Sequence, residues 1–120
     1  MMKAVIQFTK GIDETSLPNI ILTRSQDGST GTATFRFENP TVFYKTLLKS
    51  GDITGMYLID DEGILLTRNL RVNYINGKPR KIEAVYIMKN RDAWDRFMRF
   101  VKKYSKVNGL TFTKADSNQF

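Results

Sequence analysis

The sequence contains no cysteine and no histidine among its 120 residues. Disulfides, thiolate chemistry, imidazole metal ligands and a histidine general base are therefore excluded. Most hydrolase mechanisms depend on one of these groups, and chlorophyll or haem would lack a histidine as axial ligand. We expect a protein that is not an enzyme and that uses no cofactor.

Long apolar runs are also missing. No run approaches the roughly 20 residues needed to cross a bilayer, and the segment 1–8 lacks the longer apolar core of a signal peptide. We therefore expect the protein to remain on the side of the membrane where it is made.

The composition is that of a globular protein with an excess of positive charge. Hydrophobic residues make up 41% of the chain and charged residues 26%, which suits one domain that buries its own core. Nineteen Lys and Arg residues oppose twelve Asp and Glu residues, for a net charge of +7. Such an excess suits nucleic acid, anionic lipid or an acidic protein surface, or it simply keeps the protein soluble.

Alternating apolar residues predict three strands in the first third of the chain, over residues 4–8, 20–24 and 32–37. Gly11 ends the first strand, and the polar turn around Asp13 and Glu14 follows it. The run from Asp27-Gly28 to Gly31 favours a long hairpin loop between the second and third strands. These segments predict the start of an antiparallel sheet.

Asn39-Pro40 ends the third strand, because proline has no backbone donor. Residues 41–49 are ambiguous. Val42, Phe43 and Leu47 suit a short amphipathic helix, but β-branched and aromatic residues at its start disfavour helix formation.

The middle of the chain predicts three further strands, over residues 53–59, 64–75 and 81–88. Asp60-Asp61-Glu62-Gly63 forms the turn between the first two of these strands. Carboxylates in a tight turn suit neither a calcium loop nor a catalytic cleft, so we interpret this cluster as a solvated turn.

Asn76-Gly77 predicts a hairpin between the last two strands, and two loop lengths give different registers. A strict two-residue loop would place Leu70 opposite Glu83. A three-residue loop that includes Ile75 places Leu70 opposite Ile82, so that apolar residues share one face. We therefore expect the three-residue loop, with Gly77 in a left-handed bulge position.

One long helix is predicted over residues 91–107, with Asn90 as its N-cap and Asn108-Gly109 at its end. Its apolar stripe is spaced to pack on a sheet and consists of Trp94, Phe97, Met98 and Val101. A short strand over 110–113 and a flexible tail over 114–120 follow, leaving a single globular domain over 1–113. The fold class is α+β: a mainly antiparallel sheet of about five to six strands, with the helix on one face.

Basic residues form a ridge on the helix face away from Trp94, with Lys102 at its border. The ridge consists of Arg96, Arg99, Lys103 and Lys106. It is either a docking surface for phosphates or carboxylates or a solvated helix face. Phe100 and Tyr104 lie between the ridge and the apolar stripe, as interface anchors or as the edge of the core.

Aromatic residues elsewhere permit two other interpretations. Met56 and Tyr57, together with the aromatic residues of the helix, resemble a pigment site, but their spacing is more typical of core. Phe35 and Phe37 flank Arg36 as in sheets that stack on RNA bases. A half-buried strand gives the same pattern, so a basic RNA-binding module stays an alternative to a protein-binding one.

Five stretches match one known family in the same order along the chain. They are Ile6-Gln7-Phe8 with Gly11; Leu22-Thr23-Arg24-Ser25-Gln26-Asp27-Gly28; Gly31-Thr32-Ala33; Asp52-Ile53-Thr54-Gly55-Met56-Tyr57-Leu58-Ile59-Asp60; and Trp94-Asp95-Arg96-Phe97-Met98-Arg99-Phe100. In these stretches the chain resembles the Psb family of photosystem II proteins, in particular its twenty-eighth member, a biogenesis and repair factor. The segment 40–51 departs from the family's usual acidic stretch, which leaves open which paralogue the chain represents.

The resemblance implies a non-catalytic assembly factor that binds photosystem II intermediates transiently on the cytoplasmic or stromal face of the thylakoid membrane. Its partners would be an inner chlorophyll-antenna subunit and reaction-centre core proteins, bound by sheet extension. Membrane contact would be indirect and peripheral, and no nucleic acid is expected.

Partner-binding residues are expected in three places. The hairpin loop contributes Arg24, Ser25 and Asp27. The third strand contributes Thr32, Thr34 and Arg36, and the basic ridge contributes Arg96, Arg99 and Lys103.

Overall fold

The computed structural model describes residues 3–45, 53–109 and 113–114. In these ranges the chain forms nine strands and two helices. The strands are β1 (Ala4–Thr9), β2 (Ile12–Asp13), β3 (Asn19–Arg24), β4 (Gly31–Glu38), β5 (Met56–Asp60), β6 (Gly63–Thr67), β7 (Leu70–Ile75), β8 (Lys78–Met88) and β9 (Thr113–Lys114). The helices are α1 (Val42–Lys45) and α2 (Arg91–Asn108).

The strands form two sheets. The small sheet has the order β2-β1-β5-β6, and the large sheet has the order β7-β8-β4-β3-β9. All pairings are antiparallel except that of β3 with the short β9. Helix α2 packs against β1, β5 and β8. The predicted α+β class, with a mainly antiparallel arrangement and one long helix, is confirmed; the strands divide between two sheets instead of forming one.

Strand β1 lies inside the small sheet although its main partner is remote in sequence. It pairs locally with β2, and on its other side Ala4 opposes Asp60 at the end of β5. Ala4, Ile6 and Phe8 of β1 point into the core, where Ile6 and Phe8 are fully buried. The first strand is therefore an internal strand of its sheet.

The prediction of one continuous strand over residues 64–75 is wrong, because the chain passes from one sheet to the other in the middle of this segment. Strand β6 pairs with β5, whereas β7 pairs with β8. Between them, the Thr67 hydroxyl donates to the Val85 carbonyl at 2.7 Å and accepts from the Asn69 amide at 3.1 Å. These bonds satisfy backbone groups at the crossing between the sheets.

The hairpin between β7 and β8 has a two-residue loop, so the predicted three-residue loop is wrong. Ile75 pairs with Lys78 across the loop, and Asn76 and Gly77 have φ values of 53° and 79°. Two consecutive left-handed residues fit the twist of a tight hairpin, and Asn-Gly is the sequence that adopts them most readily.

The apolar face of this hairpin is restored by a register shift in the strands themselves. The shift lies between Asn73 and Tyr74, where Arg80 is the extra residue of β8. Beyond it, Leu70 opposes Ala84. The prediction that apolar residues share a face was correct. The residue that shifts the register is a bulge in β8, however, and not a third residue in the loop.

The core between α2 and the sheets contains the predicted helical stripe. Trp94, Phe97 and Val101 are buried and Met98 is partly buried. Phe97 packs edge-on against Phe35 at 6.0 Å between ring centroids. Phe100 and Tyr104, left open as anchors or core, are core, and so are Met56 and Tyr57.

Both ends of α2 are capped as predicted. The Asn90 side chain accepts from the Ala93 amide at 2.8 Å, and Gly109 adopts a left-handed φ of 67° at the C-terminal end. Of the ambiguous segment 41–49, residues 42–45 are helical and 46–49 lie outside the described residues. The predicted strand over 110–113 is described only at Thr113, and residues 115–120 of the predicted tail lie outside the described residues.

Glu14 is buried against the start of α1, whereas the sequence predicts it in a polar turn. One carboxylate oxygen accepts from the backbone amides of Ser16 and Thr41 at 3.0 and 2.7 Å, and from both of their hydroxyls. The other accepts from the Val42 amide at 2.9 Å. Burial opposes ionisation of Glu14, but these hydrogen bonds outweigh it and lower the pKa. Glu14 thus joins the segment after β2 to the helix that follows β4.

The hydroxyl of Tyr104 is buried without a hydrogen-bond partner among the described residues, and burial raises its pKa. An unpaired buried hydroxyl carries a desolvation cost that a hydrogen atom does not. We expect Tyr104→Phe to raise the free energy of unfolding by up to about 1 kcal/mol. Urea denaturation measures this change, and a clear loss of stability would show that the hydroxyl has a partner.

Candidate protein-interaction surfaces

Strand β4, one of the predicted partner-binding segments, is a central strand. It lies between β3 and β8, so neither of its edges is free. Thr32, Thr34 and Arg36 point to the outer face of the large sheet, opposite the buried residues of β4. Arg36 donates to Glu83 of β8 at 2.9 Å. These three residues are available to a partner only through the face of the sheet.

The aromatic residues of β4 offer no surface to RNA. Phe35 and Phe37 are 0% exposed, and Phe37 packs edge-on against Phe8 in the core. Base stacking requires exposed rings. The interpretation of this strand as one with a buried face is confirmed, and the RNA alternative loses the residues that suggested it.

The free backbone edges in the described parts of the two sheets include those of β6 and β7. Among the described strands, β6 has β5 as its only neighbour, and β7 has only β8. The two strands are consecutive in sequence and meet at residues 67–70, beside β8. Two edges of different sheets are thus placed next to each other.

Hydrogen-bond alternation shows which groups of β7 face outward. The Val85 amide donates to the Asn69 carbonyl at 3.0 Å, so every second residue from Asn69 directs its backbone groups to β8. The backbone amide and carbonyl of Val72 therefore point to the free edge. An extended segment laid along β7 would find an unpaired donor and acceptor there.

The segment that forms both edges is basic. Residues 63–82 contain no carboxylate. Their cations are Arg68, Arg71, Lys78, Arg80 and Lys81. Glu83 pairs with Arg71 at 2.7 Å and with Arg36 at 2.9 Å. A partner segment with carboxylates would therefore meet complementary charge along these strands.

Arg24, Ser25 and Asp27 lie in one compact loop between β3 and β4. The Asp27 carboxylate accepts from the Ser25 hydroxyl at 2.8 Å and from the amide and hydroxyl of Ser29 at 2.9 and 2.7 Å. The bonds from Ser29 lower the pKa of Asp27 to about 2. The polar groups of the loop are therefore largely used to hold its own shape.

The same loop is fastened to the start of α2. Arg24 stacks over Trp94 at 4.5 Å and donates to the Gly28 carbonyl at 3.2 Å. Arg91 donates to the Asp27 carbonyl at 2.8 Å. Gly31 is required here, since a Cβ at this position would lie 2.4 Å from the Trp94 ring. The structure thus brings Arg24, Ser25 and Asp27 together as a rigid unit.

The basic ridge of α2 pairs with the acidic turn between β5 and β6. Arg96 binds Asp60 in a bidentate pair at 2.7 and 2.9 Å. Arg99 binds Glu62 with two bonds of 2.9 Å. Lys103 contacts all three carboxylates, with the shortest contact 2.7 Å to Asp61. We call these six residues the turn–helix ion network.

The interpretation of the acidic turn as solvated is wrong for Asp60, whose side chain is 0% exposed. Burial opposes its ionisation, but hydrogen bonds from Arg96 and the Glu62 amide outweigh burial and lower the pKa. Hydrogen bonds from Arg99 and Lys103 lower the pKa of Glu62 to about 2. The bond to Asp61 is the largest influence that raises the pKa of Lys103.

The ridge is therefore largely neutralised by the protein's own carboxylates. Lys102 and Lys106 are exposed and form no ion pair within the described residues. A turn with three acids and a helix with cations at helical spacing were both visible in the sequence. Their 36- to 43-residue separation concealed that they face each other.

The loop contacts the start of α2, whereas the ridge extends towards the other end of the helix. Arg91 and Lys103 are twelve positions apart in α2, about 18 Å along a helix axis. The nine predicted partner-binding residues therefore do not form one cluster. They lie on the loop, on the outer sheet face and in the turn–helix ion network.

In the ranges that the structure describes, no helix has the length and apolarity needed to cross a membrane.

A sequence model described as Psb28 protein matches residues 6–112. The chain is 62% identical over 114 residues to the photosystem II reaction center Psb28 protein of Phaeodactylum tricornutum, covering 95% of this chain and 99% of that protein. It is 58% identical over 115 residues to the protein of the same name from Guillardia theta, covering 96% and 99%. The identity to that of Synechococcus elongatus is 54% over 114 residues, covering 95% and 100%.

Proposed function

Because the chain belongs to the Psb28 family, we propose that it is a non-catalytic assembly and repair factor that binds photosystem II intermediates transiently. Its relatives are named photosystem II reaction center proteins, which supports association with that complex. We place it peripherally at the thylakoid membrane, on the cytoplasmic or stromal side.

The observation that carries the proposed binding mode is the free edge of β7, with its outward backbone groups at Val72. Main-chain hydrogen bonds at such an edge supply affinity for an extended segment. The adjacent free edge of β6 offers room for a second segment. Two neighbouring edges suit two partners, an inner chlorophyll-antenna subunit and a reaction-centre core protein.

Charge supports the same surface. The absence of carboxylates over residues 63–82 favours partner segments that carry acidic side chains. The outer-face residues Thr32, Thr34 and Arg36 are proposed as further contacts beside the docked segment. The loop residues Arg24, Ser25 and Asp27 and the ridge residues Arg96, Arg99 and Lys103 are proposed as secondary contacts.

The test removes one outward donor from the β7 edge. Val72→Pro deletes the Val72 amide, which points away from β8, whereas the control Val72→Ala keeps that amide and loses similar side-chain packing. We expect tagged wild-type protein and Val72→Ala to recover immature photosystem II from solubilised thylakoid membranes. Val72→Pro should recover several-fold less, because it cannot complete the new ladder.

Two outcomes contradict the proposal in different ways. Equal recovery with Val72→Pro and Val72→Ala would show that the β7 edge is not the binding site. Failure of the wild-type protein to recover photosystem II subunits, with RNA in their place, would contradict the function itself. RNA binding would also weaken steeply with salt, whereas strand addition depends on backbone pairing and is expected to survive moderate salt.

A further inference from the structure

The hairpin between β7 and β8 ends in a fully exposed tip. Residues 73–81, the hairpin tip, are all exposed, in contrast to the buried residues further along β8. Each strand of the tip extends about three residues beyond the core, or roughly 10 Å. This tip is outside the β7 edge at Val72 on which the proposed function depends.

Large apolar side chains occupy the tip. Tyr74 is 60% exposed and Ile75 is 49% exposed. Tyr44 of α1 is 61% exposed and lines one shallow depression together with Phe43 and the β8 end of the tip. Exposed apolar side chains gathered at one protruding end indicate a surface that is covered in use.

Cations surround these apolar side chains. Lys78 and Arg80 have no carboxylate within 4.0 Å among the described residues, and Lys81 has only a 3.5 Å contact to Glu38. The tip itself carries no acidic residue. Its charge therefore favours an anionic surface, and its apolar end favours one with an apolar interior.

We propose that the hairpin tip inserts into the interface of an anionic lipid membrane. Ile75 and Tyr74 would enter the boundary between headgroups and acyl chains, while Lys78 and Arg80 contact lipid phosphates or other anionic headgroups. The reach of the tip matches the 5–10 Å depth typical of interfacial insertion. Direct membrane contact at this tip goes beyond the indirect contact that the family resemblance implies.

A lipid surface suits the tip better than RNA does. Ile75 and the aliphatic stems of the two cations cannot stack on bases, whereas both fit the acyl boundary. Tyr is enriched at membrane interfaces because its ring is apolar and its hydroxyl is polar.

The first test is sedimentation with vesicles of equimolar phosphatidylglycerol and phosphatidylcholine, and with vesicles of phosphatidylcholine alone. We expect wild-type protein to bind the anionic vesicles preferentially. Lys78→Gln combined with Arg80→Gln should weaken that binding about tenfold, since each cation near an anionic surface contributes to affinity.

The matched control changes the same net charge on another exposed surface. Lys102→Gln combined with Lys106→Gln removes two cations from α2 that form no ion pair with the described residues. It should leave vesicle binding within about twofold of wild type, because these side chains belong to the helix and not to the hairpin tip. Equal loss in both double variants would overturn the proposal, since it would show attraction by net charge alone.

The second test detects insertion. Tyr74→Trp places an indole at the tip, while the native Trp94 is 5% exposed in the core and provides the background signal. Anionic vesicles with brominated acyl chains should quench the variant more than wild type. Absence of additional quenching would overturn the proposal, because a tip bound only to headgroups does not reach the bromine atoms.

A third variant separates the lipid from other occupants. Tyr74→Thr combined with Ile75→Thr places β-branched residues, which favour strands, at both positions and should lower vesicle binding about tenfold. If this variant binds vesicles normally but loses RNA or photosystem II, the tip serves that other partner and the proposal fails. Val72→Pro should bind vesicles as wild type does. Loss of photosystem II recovery by this variant therefore tests strand addition independently of membrane binding.

Discussion

Glu14→Ala is expected to lower the free energy of unfolding by about 3 kcal/mol, the largest change among the variants considered. The carboxylate accepts from three backbone amides, those of Ser16, Thr41 and Val42. Alanine leaves these donors without their acceptor in a largely buried place, and it removes the link between α1 and the segment after β2. Urea denaturation followed by circular dichroism measures the loss.

The adjacent carboxylate provides a matched control. Asp13 is exposed and accepts one hydrogen bond from the Gln7 side chain at 2.8 Å, so Asp13→Ala should change stability by no more than about 0.5 kcal/mol. Glu14→Gln should fall between the two, because its amide keeps one acceptor oxygen. Equal effects of Asp13→Ala and Glu14→Ala would contradict the structural role of Glu14.

Arg96→Met is expected to destabilise the protein by about 2–3 kcal/mol. Removing one member of a buried ion pair leaves the other charge uncompensated, and here the remaining charge is Asp60, whose side chain is fully buried. Lys103 stays 3.4 Å from Asp60 and offsets part of the loss. Arg99→Met is the control, since Arg99 is 52% exposed, and we expect little change in its denaturation midpoint.

The effect of Arg96→Met should depend on pH. The pKa of Asp60 is lowered in the folded protein, so the stability it contributes is present above its unfolded pKa of about 3.9. That contribution is lost as pH falls through the folded pKa. The stability difference between wild type and Arg96→Met should therefore shrink below about pH 4. A difference that persists unchanged at lower pH would show that Arg96 acts through packing alone.

The turn–helix ion network also determines how the ridge can be tested as a docking surface. Changing Arg96, Arg99 and Lys103 to Glu would place three further carboxylates beside Asp60, Asp61 and Glu62. Loss of partner binding by such a variant would report unfolding as readily as loss of contact. Replacing Lys106 of the ridge, together with Lys102 at its border, tests docking without this complication.

Local signals in the sequence were sufficient for the long helix. Asn90 and Gly109 mark its ends through side-chain capping and a left-handed backbone, both of which depend on a few neighbouring residues. The stripe from Trp94 to Val101 identifies its buried face. Strand positions were also largely correct, because the alternation of β1, β3 and β4 marks one buried face in each.

Long-range contacts were not predictable from the same patterns. The apolar alternation from Ile64 to Tyr74 is interrupted at Arg68, but this single break does not require the change of sheet that occurs between β6 and β7. Glu14 is predicted in a polar turn because Thr41 and Val42, the partners that connect it to α1, lie 27 and 28 residues later. For the proposed binding surface, the family resemblance predicted sheet extension but not which strand is extended. The sheet order shows that β4 lies between two strands and that β7 is at an edge of the described sheet.

The position of β1 has a consequence for how the chain folds during synthesis. The β3–β4 hairpin pairs residues that are 7 to 17 positions apart, from Arg24 with Gly31 to Asn19 with Arg36, and such local pairs form early. Strand β1 is synthesised before its partner β5, so Ala4 cannot pair until Asp60 has also left the ribosome. Until then the apolar face of β1 is exposed on a nascent chain, where it is prone to misassociation. We expect closure of the small sheet to be the late, rate-limiting step of folding.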